Sequence, residues 1–309
     1  MSSVARGLDS RSKRLARECS PRTLGVLMVL PSLGMIALVL LAPLVGALWL
    51  SLQQWHLAEP HQGRSFVGLS NYAQALSSGE IWRAFGRTGY FTVVSVSLEL
   101  VFGLCGAVLL NEVFRGRGLF RAMLLAPWAL LTITNGLIWR WMLNADHGLV
   151  NGVLARLGMG DEPILWLGRP ALAMHMVILA DVWKMTPFMT LLLLAGLQPI
   201  PDSHYEAAEM DGAGGWRKLW HVVLPQLRPA ILVAVVLRTM GAFKVFDIVY
   251  VLTGGGPADS TNVIAMRTYR EAFRYFHVGY GAALSWLMTV AIMLLVVIYI
   301  RLIGFKVDT

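Results

Sequence analysis

Four ionisable residues embedded in apolar sequence are the first candidates for chemistry: Asp181 and Lys184, then Lys244 and Asp247. The members of each pair stand three positions apart, so on a helix they share a face and neutralise each other. Glu99, Asn135, Arg140 and Arg238 are further candidates, the last two placed nearer an interface. A Lys, Arg or Asp at a helix centre in a bilayer costs roughly 2.5–3.5 kcal/mol on insertion scales. Such residues therefore face a protein interior or a watery cavity. Two readings are open. The pairs lock helix to helix, or they line a polar path with Trp183, Phe188, Phe243 and Phe246 as stacking faces. The second mixture suits a sugar, whose hydroxyls need hydrogen bonds and whose pyranose C–H face needs an apolar partner.

Other chemistries find less support. Cys19 sits in a basic leader and Cys105 in an apolar run, which argues against a disulfide. His175 and His221 are isolated and read as packing or interface residues, and no Cys/His cluster has metal-ligand spacing. The sequence has no Gly-x-x-x-x-Gly-Lys-Ser/Thr phosphate loop, so ATP hydrolysis is not expected from this chain. A membrane enzyme acting on lipid or glycan would need a catalytic constellation near one interface, and none is recognised. The formal charge of +8 is read as basic anchoring of loops at anionic lipid, not as nucleic-acid binding.

The elements that must carry these residues follow from composition. Of 309 residues, 56% are hydrophobic and 14% charged, whereas a soluble domain carries about 25% charged residues. A helix crosses the hydrocarbon core with about 20 apolar residues. Six segments qualify: 25–50, 88–110, 119–143, 172–197, 230–253 and 281–303. The expected fold is an all-α polytopic membrane protein of six spans. A leader over 1–24 and a tail over 305–309 flank a transmembrane domain over 25–304. The first span is too long for a signal peptide and has no small-residue cleavage site. Pro31 and Pro43 are expected to kink it, and Gly103 and Gly106 to permit close helix contact.

Basic flanks set the orientation. Arg6, Arg11, Lys13, Arg14, Arg17 and Arg22 place the N-terminus in the cytoplasm, and six crossings return Arg301 and Lys306 to the same side. Arg115, Arg117 and Arg121 agree, as do Arg217, Lys218 and Arg228. Arg267, Arg270 and Arg274 dissent, on a loop assigned outside.

The cytoplasmic connection 198–229 holds the densest pattern. Asp202 or Ser203 can cap a helix, and Gly212 is placed as its left-handed stop. A second short helix begins near Trp216 and is expected to end by Pro225. Ala207 and Ala208 leave room for another backbone to approach. On these physical grounds alone, the elbow could equally rest on the lipid surface.

The order Glu206-Ala207-Ala208, then Asp211-Gly212-Ala213, then Leu224-Pro225 resembles the coupling loop of permease subunits in binding-protein-dependent ABC importers. Phe66-Val67-Gly68-Leu69-Ser70-Asn71-Tyr72 is similar to the family's first external loop. Trp183, Pro187-Phe188, Ala195-Gly196-Leu197-Gln198 and Ile200-Pro201 match its approach to the elbow. Phe246-Asp247, Leu252-Thr253-Gly254-Gly255-Gly256-Pro257, Tyr269 and Ala272-Phe273 match the family's region after the elbow. These motifs resemble the first of two permeases in the carbohydrate branch, which imports trehalose, maltose and related sugars or glycerol phosphates.

The resemblance implies a second homologous permease, two ATPase subunits that bind ATP and magnesium, and an external solute-binding protein, in some cases a lipoprotein. It implies no cofactor in this chain and a place in the inner membrane. Glu206, Ala207, Ala208, Asp211, Gly212, Leu224 and Pro225 would couple to the ATPase. Asp181, Lys184, Met185, Phe188, Phe243, Lys244 and Asp247 would line the substrate path. Acid–base pairs in both path windows particularly resemble trehalose importers. The rival reading is a gradient-driven transporter in which Asp181 and Asp247 titrate.

Overall fold

The computed structural model describes residues 21–59, 61, 63–112, 114–159 and 162–303. Most of the leader with Cys19, and the tail with Lys306, lie outside the described residues. The chain is helical, apart from one two-stranded hairpin among the described residues.

Helix α1 (Pro21–Ser51) runs on through Pro31 and Pro43 and leaves its apolar side chains almost wholly exposed. Strands β1 (Gln53–Gln54) and β2 (Ser65–Phe66) pair antiparallel, Gln53 opposite Phe66. Short α2 (Ser70–Ser77) comes next, and its Asn71 anchors the turn rather than capping a helix. Its amide donates to the carbonyls of Ser51 at 2.8 Å and Gln53 at 2.9 Å. Helix α3 (Gly79–Asn111) is the second span, and α7 (Pro170–Leu197) the fourth. These two make the most extensive helix pair. Glycine is required there: a Cβ on Gly103 would stand 2.6 Å from Met189 Cγ, and one on Gly106 would stand 2.9 Å from Thr190 Oγ1.

The sequence expects one span at 119–143, but the structure breaks it. Helix α4 (Arg117–Ala129) and helix α5 (Thr132–Met142) meet at 96°. Pro127 lies in the last turn of α4, and Leu130 and Leu131 are extended. Proline removes a helical hydrogen bond, and the freed chain turns. Among the described residues there are thus five long apolar helices, or six spans when the bent pair is counted as one. The connection beyond α5 carries short α6 (Leu149–Arg156).

Helix α8 (Asp202–Met210) is the first arm of the elbow. Its N-cap is Pro201, with no side-chain cap, so Asp202 acts from the first turn instead. Gly212 has φ +71°, Ala213 N–H donates to Ala208 O at 2.9 Å, and Gly212 N–H to Glu209 O at 2.9 Å. That crossed pair satisfies the orphan carbonyls with a left-handed glycine stop, as the sequence anticipates.

The second arm does not end by Pro225. It continues without interruption as α9 (Gly215–Phe243), the fifth span. A π turn over Leu219–Val223 makes this possible, with Leu224 N–H donating five residues back to Leu219 O. Pro225 lacks an N–H and its ring would clash with a regular i−4 carbonyl, and the widened turn relieves both defects. The span stops at Phe243, short of the expected 253, and α10 (Asp247–Leu252) begins after a break. Helix α11 (Ile264–Tyr269, with a π turn Arg270–Arg274) and the last span α12 (Val278–Ile303) complete the chain.

Two of the three dissenting arginines, Arg267 and Arg270, are held in ion pairs. Arg267 pairs with Glu80 at 3.0 Å and Glu271 at 2.8 Å, and Arg270 pairs with Asp259 at 2.8 Å. Arg270 also donates to Gly254 O at 2.7 Å. The glycine run wraps this guanidinium, and a Cβ on Gly255 would stand 2.7 Å from Arg270 Nη2.

Two outcomes are expected. Gly103→Val overpacks the α3–α7 seam and destabilises by about 1–3 kcal/mol, read as a lower thermal midpoint in detergent, with Gly103→Ala milder. The Arg270 guanidinium holds the Asp259 carboxyl below the usual carboxylate range. A depressed acid stabilises above its unfolded value and loses this as pH falls through its folded one. Amide protection in the loop 253–263, taken relative to the intrinsic exchange rate at each pH, should therefore be high at neutral pH and fall selectively in acid. Asp259→Asn should remove that selectivity.

Candidate functional site

Two sites emerge, one within the membrane region and one at the elbow. The first centres on Arg238 of α9. Its Nε and Nη2 reach both oxygens of Glu99 on α3, the Nη2–Oε1 contact measuring 2.8 Å, and Nη2 also meets Asp181 of α7. Arg238 is 3% exposed, Glu99 0% and Asp181 7%. The planar guanidinium matches a carboxylate with two parallel donors, which a lysine cannot do. Three spanning helices are therefore joined by one side chain.

The pairing anticipated from spacing is different. Asp181 gives its carboxylate to Arg238, while Lys184 turns away and donates from Nζ to Thr132 Oγ1 at 2.7 Å. Thr132 opens α5 directly after the bend, so Lys184 pins the break. Lys184 stays within electrostatic reach of both Asp181 and Asp247. Two acids and two bases then sum to zero across Glu99, Asp181, Lys184 and Arg238. Arg238 is central rather than interfacial. The sequence did hold a signal for it: α3 has one acid in its apolar interior and α9 one base, and two lone opposite charges in separate spans are cheapest when they meet.

Lys244 and Asp247 do not share a helix face. Lys244 ends α9, Asp247 opens α10, and Phe246 between them has φ −138°, ψ −60°. Both are exposed. Met185 and Phe188 are half-buried, and Phe188 stacks on Trp128 of α4 at 6.2 Å. Phe243 stands apart from these residues: it is buried in a separate apolar cluster with Ala75, Ile81 and Leu284, and Phe85 lies 6.3 Å away. Asn135 of α5 donates to Ala180 O at 3.3 Å, and Arg140 to Val251 O at 3.4 Å, so both position the bent pair. His175 bonds Tyr90 at 2.8 Å, in keeping with a packing role. Among the described residues no group of His, Cys, Asp or Glu could hold a metal ion.

At the elbow, Glu206, Ala207, Asp211, Gly212 and Pro225 are exposed, and Ala208 and Leu224 half-buried. The inner side is fixed: Tyr205 and Leu219 pack on the main core, His204 meets Gln226 at 2.7 Å, and Lys218 pairs with Glu209. The outer side leaves Met210 88% and Trp216 70% exposed. Trp216 packs edge-on against the exposed Trp220, with ring centroids 5.9 Å apart.

A family model described as "Binding-protein-dependent transport system inner membrane component" matches residues 3–306. The chain belongs to this family. The permease is 44% identical over 288 residues to the trehalose/maltose transport system permease protein MalF of Thermococcus litoralis, covering 92% of this chain and 95% of that one. It is 38% identical to the trehalose transport system permease protein SugA of Mycobacterium tuberculosis (94% and 92% covered). It is 37% identical to the sulfoquinovosyl glycerol transport system permease protein SmoG of Agrobacterium fabrum (92% of each). Its fold matches a chain of a bacterial ABC transporter that imports alginate, with TM-score 0.79, 21% identity and 94% and 98% covered. The same holds for an alginate transporter in complex with a pentasaccharide-bound periplasmic protein, with TM-score 0.76, 21% identity and 90% and 93% covered. The permease is a membrane transport subunit, not an enzyme.

Removing one partner of a buried ion pair costs about 3–5 kcal/mol, because the other charge is left unpaired. Arg238→Met should therefore lower the thermal midpoint of the purified permease sharply. The neutral quadruple variant Glu99→Gln, Asp181→Asn, Lys184→Met, Arg238→Met should recover most of the loss. A single variant as stable as the parent would show the cluster to be energetically idle.

Proposed function

We propose that this permease forms, with a second homologous permease, the membrane path of an ATP-driven importer for a di- or oligosaccharide of the trehalose or maltose kind. One observation carries the mechanism: the second arm of the elbow and the helix bearing Arg238 are a single unbroken element, Gly215–Phe243. Two copies of a separate ATPase, which bind ATP and magnesium, dock beneath the permeases, one per elbow. Glu206 and the exposed Met210 and Trp216 meet the ATPase cleft, and Ala207 and Ala208 allow close approach. Gly212 makes the turn, and Leu224 with Pro225 joins the arm to the span. When ATP draws the ATPases together the elbow moves, α9 moves with it, and the Arg238 cluster carries that displacement to α3 and α7. The cavity opens outward to an extracytoplasmic solute-binding protein, and hydrolysis resets it. Both termini lie in the cytoplasm, and the hairpin with α2 and α11 lies outside.

Met185, Phe188, Lys244 and Asp247 are the residues assigned to the path, since their side chains remain partly or fully accessible. Lys184, buried against Thr132, is assigned to it through its hold on the bend. Asp181 serves through the Arg238 cluster, and Phe243 supports α9 from its buried side. The relatives' names support the sugar class.

The test is reconstitution of the permease with its partner, ATPase and binding protein in liposomes. Sugar-loaded binding protein should stimulate ATP hydrolysis and uptake of labelled trehalose or maltose. Glu206→Arg should abolish stimulation or release the ATPase, and full transport by that variant would overturn the coupling role. Asp247→Asn should raise the half-saturating sugar concentration about tenfold, the loss of one charged hydrogen bond. Uptake driven by an ion gradient without ATPase would instead favour the secondary-transporter reading.

A further inference from the structure

At the end opposite the elbow, a cavity of about 500 Å³ opens between the hairpin, α2, α11 and the start of α12. Its volume lies within the roughly 300–1,000 Å³ of small-molecule pockets. Its lining shares no described residue with the membrane path. Gln54, Trp55 and His56 form one wall, Asn71 and Gln74 a second, and Arg267, Glu271, His277 and Tyr280 the third, with Glu59 also on its lining.

The polar side chains here are held in place rather than loosely displayed. Glu271 is 5% exposed; it accepts from Arg267 at 2.8 Å and meets His277 Nδ1 at 3.0 Å. His277 packs edge-on against His56, with ring centroids 4.8 Å apart. The hairpin is tied to this wall, with Leu57 N–H donating to Phe276 O at 2.9 Å and Val278 N–H to Trp55 O at 3.0 Å. Yet His56 Nδ1 and Arg267 Nε are buried and lack partners among the described residues. Both atoms are enclosed within the walls, and the hydrogen-bonding capacity open to a ligand comes from the exposed lining residues Gln54, Glu59 and Gln74.

The chemistry selects the class. Among the described residues Arg267 is the one permanent cation on the lining, and Glu80 and Glu271 already occupy it. Glu59 and Glu271 further oppose an anion. Amides, imidazoles and carboxylates supply donors and acceptors in mixture, and Trp55 and Tyr280 supply aromatic faces. One face of Trp55 is covered by the Arg64 guanidinium at 3.9 Å, so stacking uses the other. A neutral, many-hydroxylated ligand meets all of these conditions.

We propose that this cavity is a second carbohydrate-binding site, separate from the membrane path, taking a neutral disaccharide or oligosaccharide. The class of ligand rests on the sugar-importer reading above. The test uses the permease in complex with its second permease and ATPase, in lipid nanodiscs and without the binding protein. Saturation-transfer NMR with trehalose and maltose reads affinity, alongside ATPase stimulation by sugar-loaded binding protein. Glu59 and Gln74 are exposed, so the double variant Glu59→Ala, Gln74→Ala should assemble normally, checked by co-purification. It should weaken sugar binding about tenfold or more, the loss of two hydrogen-bonding partners, while Asp146→Asn, an exposed position in neither lining, leaves binding intact. No sugar binding, or binding lost only in the path variant Asp247→Asn, overturns this site and leaves the importer reading standing wherever sugar still stimulates hydrolysis. A double variant that binds sugar normally but captures the binding protein poorly overturns it too, making the cavity a docking socket. Binding with the predicted variant pattern but no sugar-stimulated hydrolysis keeps the site and removes the importer reading.

Discussion

A guanidinium buried among three helices, with two carboxylates and no water-facing escape, is the constraint on which the rest of this permease depends. Arg238 cannot lose its proton at any attainable pH, so its charge must be met inside the protein. Glu99 and Asp181 meet it, which fixes the rotation of α3 and α7 about their axes and their height relative to α9. The glycine seam of Gly103 and Gly106 is the packing counterpart: only with α3 pressed against Met189 and Thr190 does Glu99 come within reach. Ion cluster and seam thus specify one arrangement twice, by charge and by shape.

Much of this was legible in the sequence. Apolar run length located every long helix, because bilayer thickness leaves little freedom, and Gly212 announced the elbow's turn because only glycine takes φ +71° without strain. What failed was the assumption that a run stays straight. Pro127 and Pro225 look alike in sequence. One ends a helix in a 96° bend, and the other is absorbed by a π turn. The difference lies in tertiary contacts, Lys184 on Thr132 in the first case and burial of Val223 and Leu227 in the second.

Charge partners were the least legible part of the site. Spacing within one helix favoured Asp181 with Lys184 and Lys244 with Asp247. Local pairs win when the helix is isolated in water, where an exposed contact is worth a few tenths of a kcal/mol. In a low-dielectric interior, geometry with a bidentate partner wins, even when that partner is 57 or 139 residues away in sequence. Arg267 likewise finds an acidic partner far off in sequence, in Glu80, and Arg270 finds one across a loop, in Asp259.

The π turn in α9 has a consequence for angular phase. Each residue of an α-helix advances the side-chain direction by about 100°, so the bearing of Arg238 relative to the elbow is set by how many residues are wound between them. A π turn takes in one residue more than an α turn. It therefore acts as a built-in phase corrector, aiming the guanidinium inward while the elbow's Trp216 faces out. Length changes in this arm are consequently forbidden one at a time, however mild the residue, because each would swing the charge toward lipid. Substitution and insertion are thus judged by different rules along the same helix, the first by chemistry and the second by rotation alone.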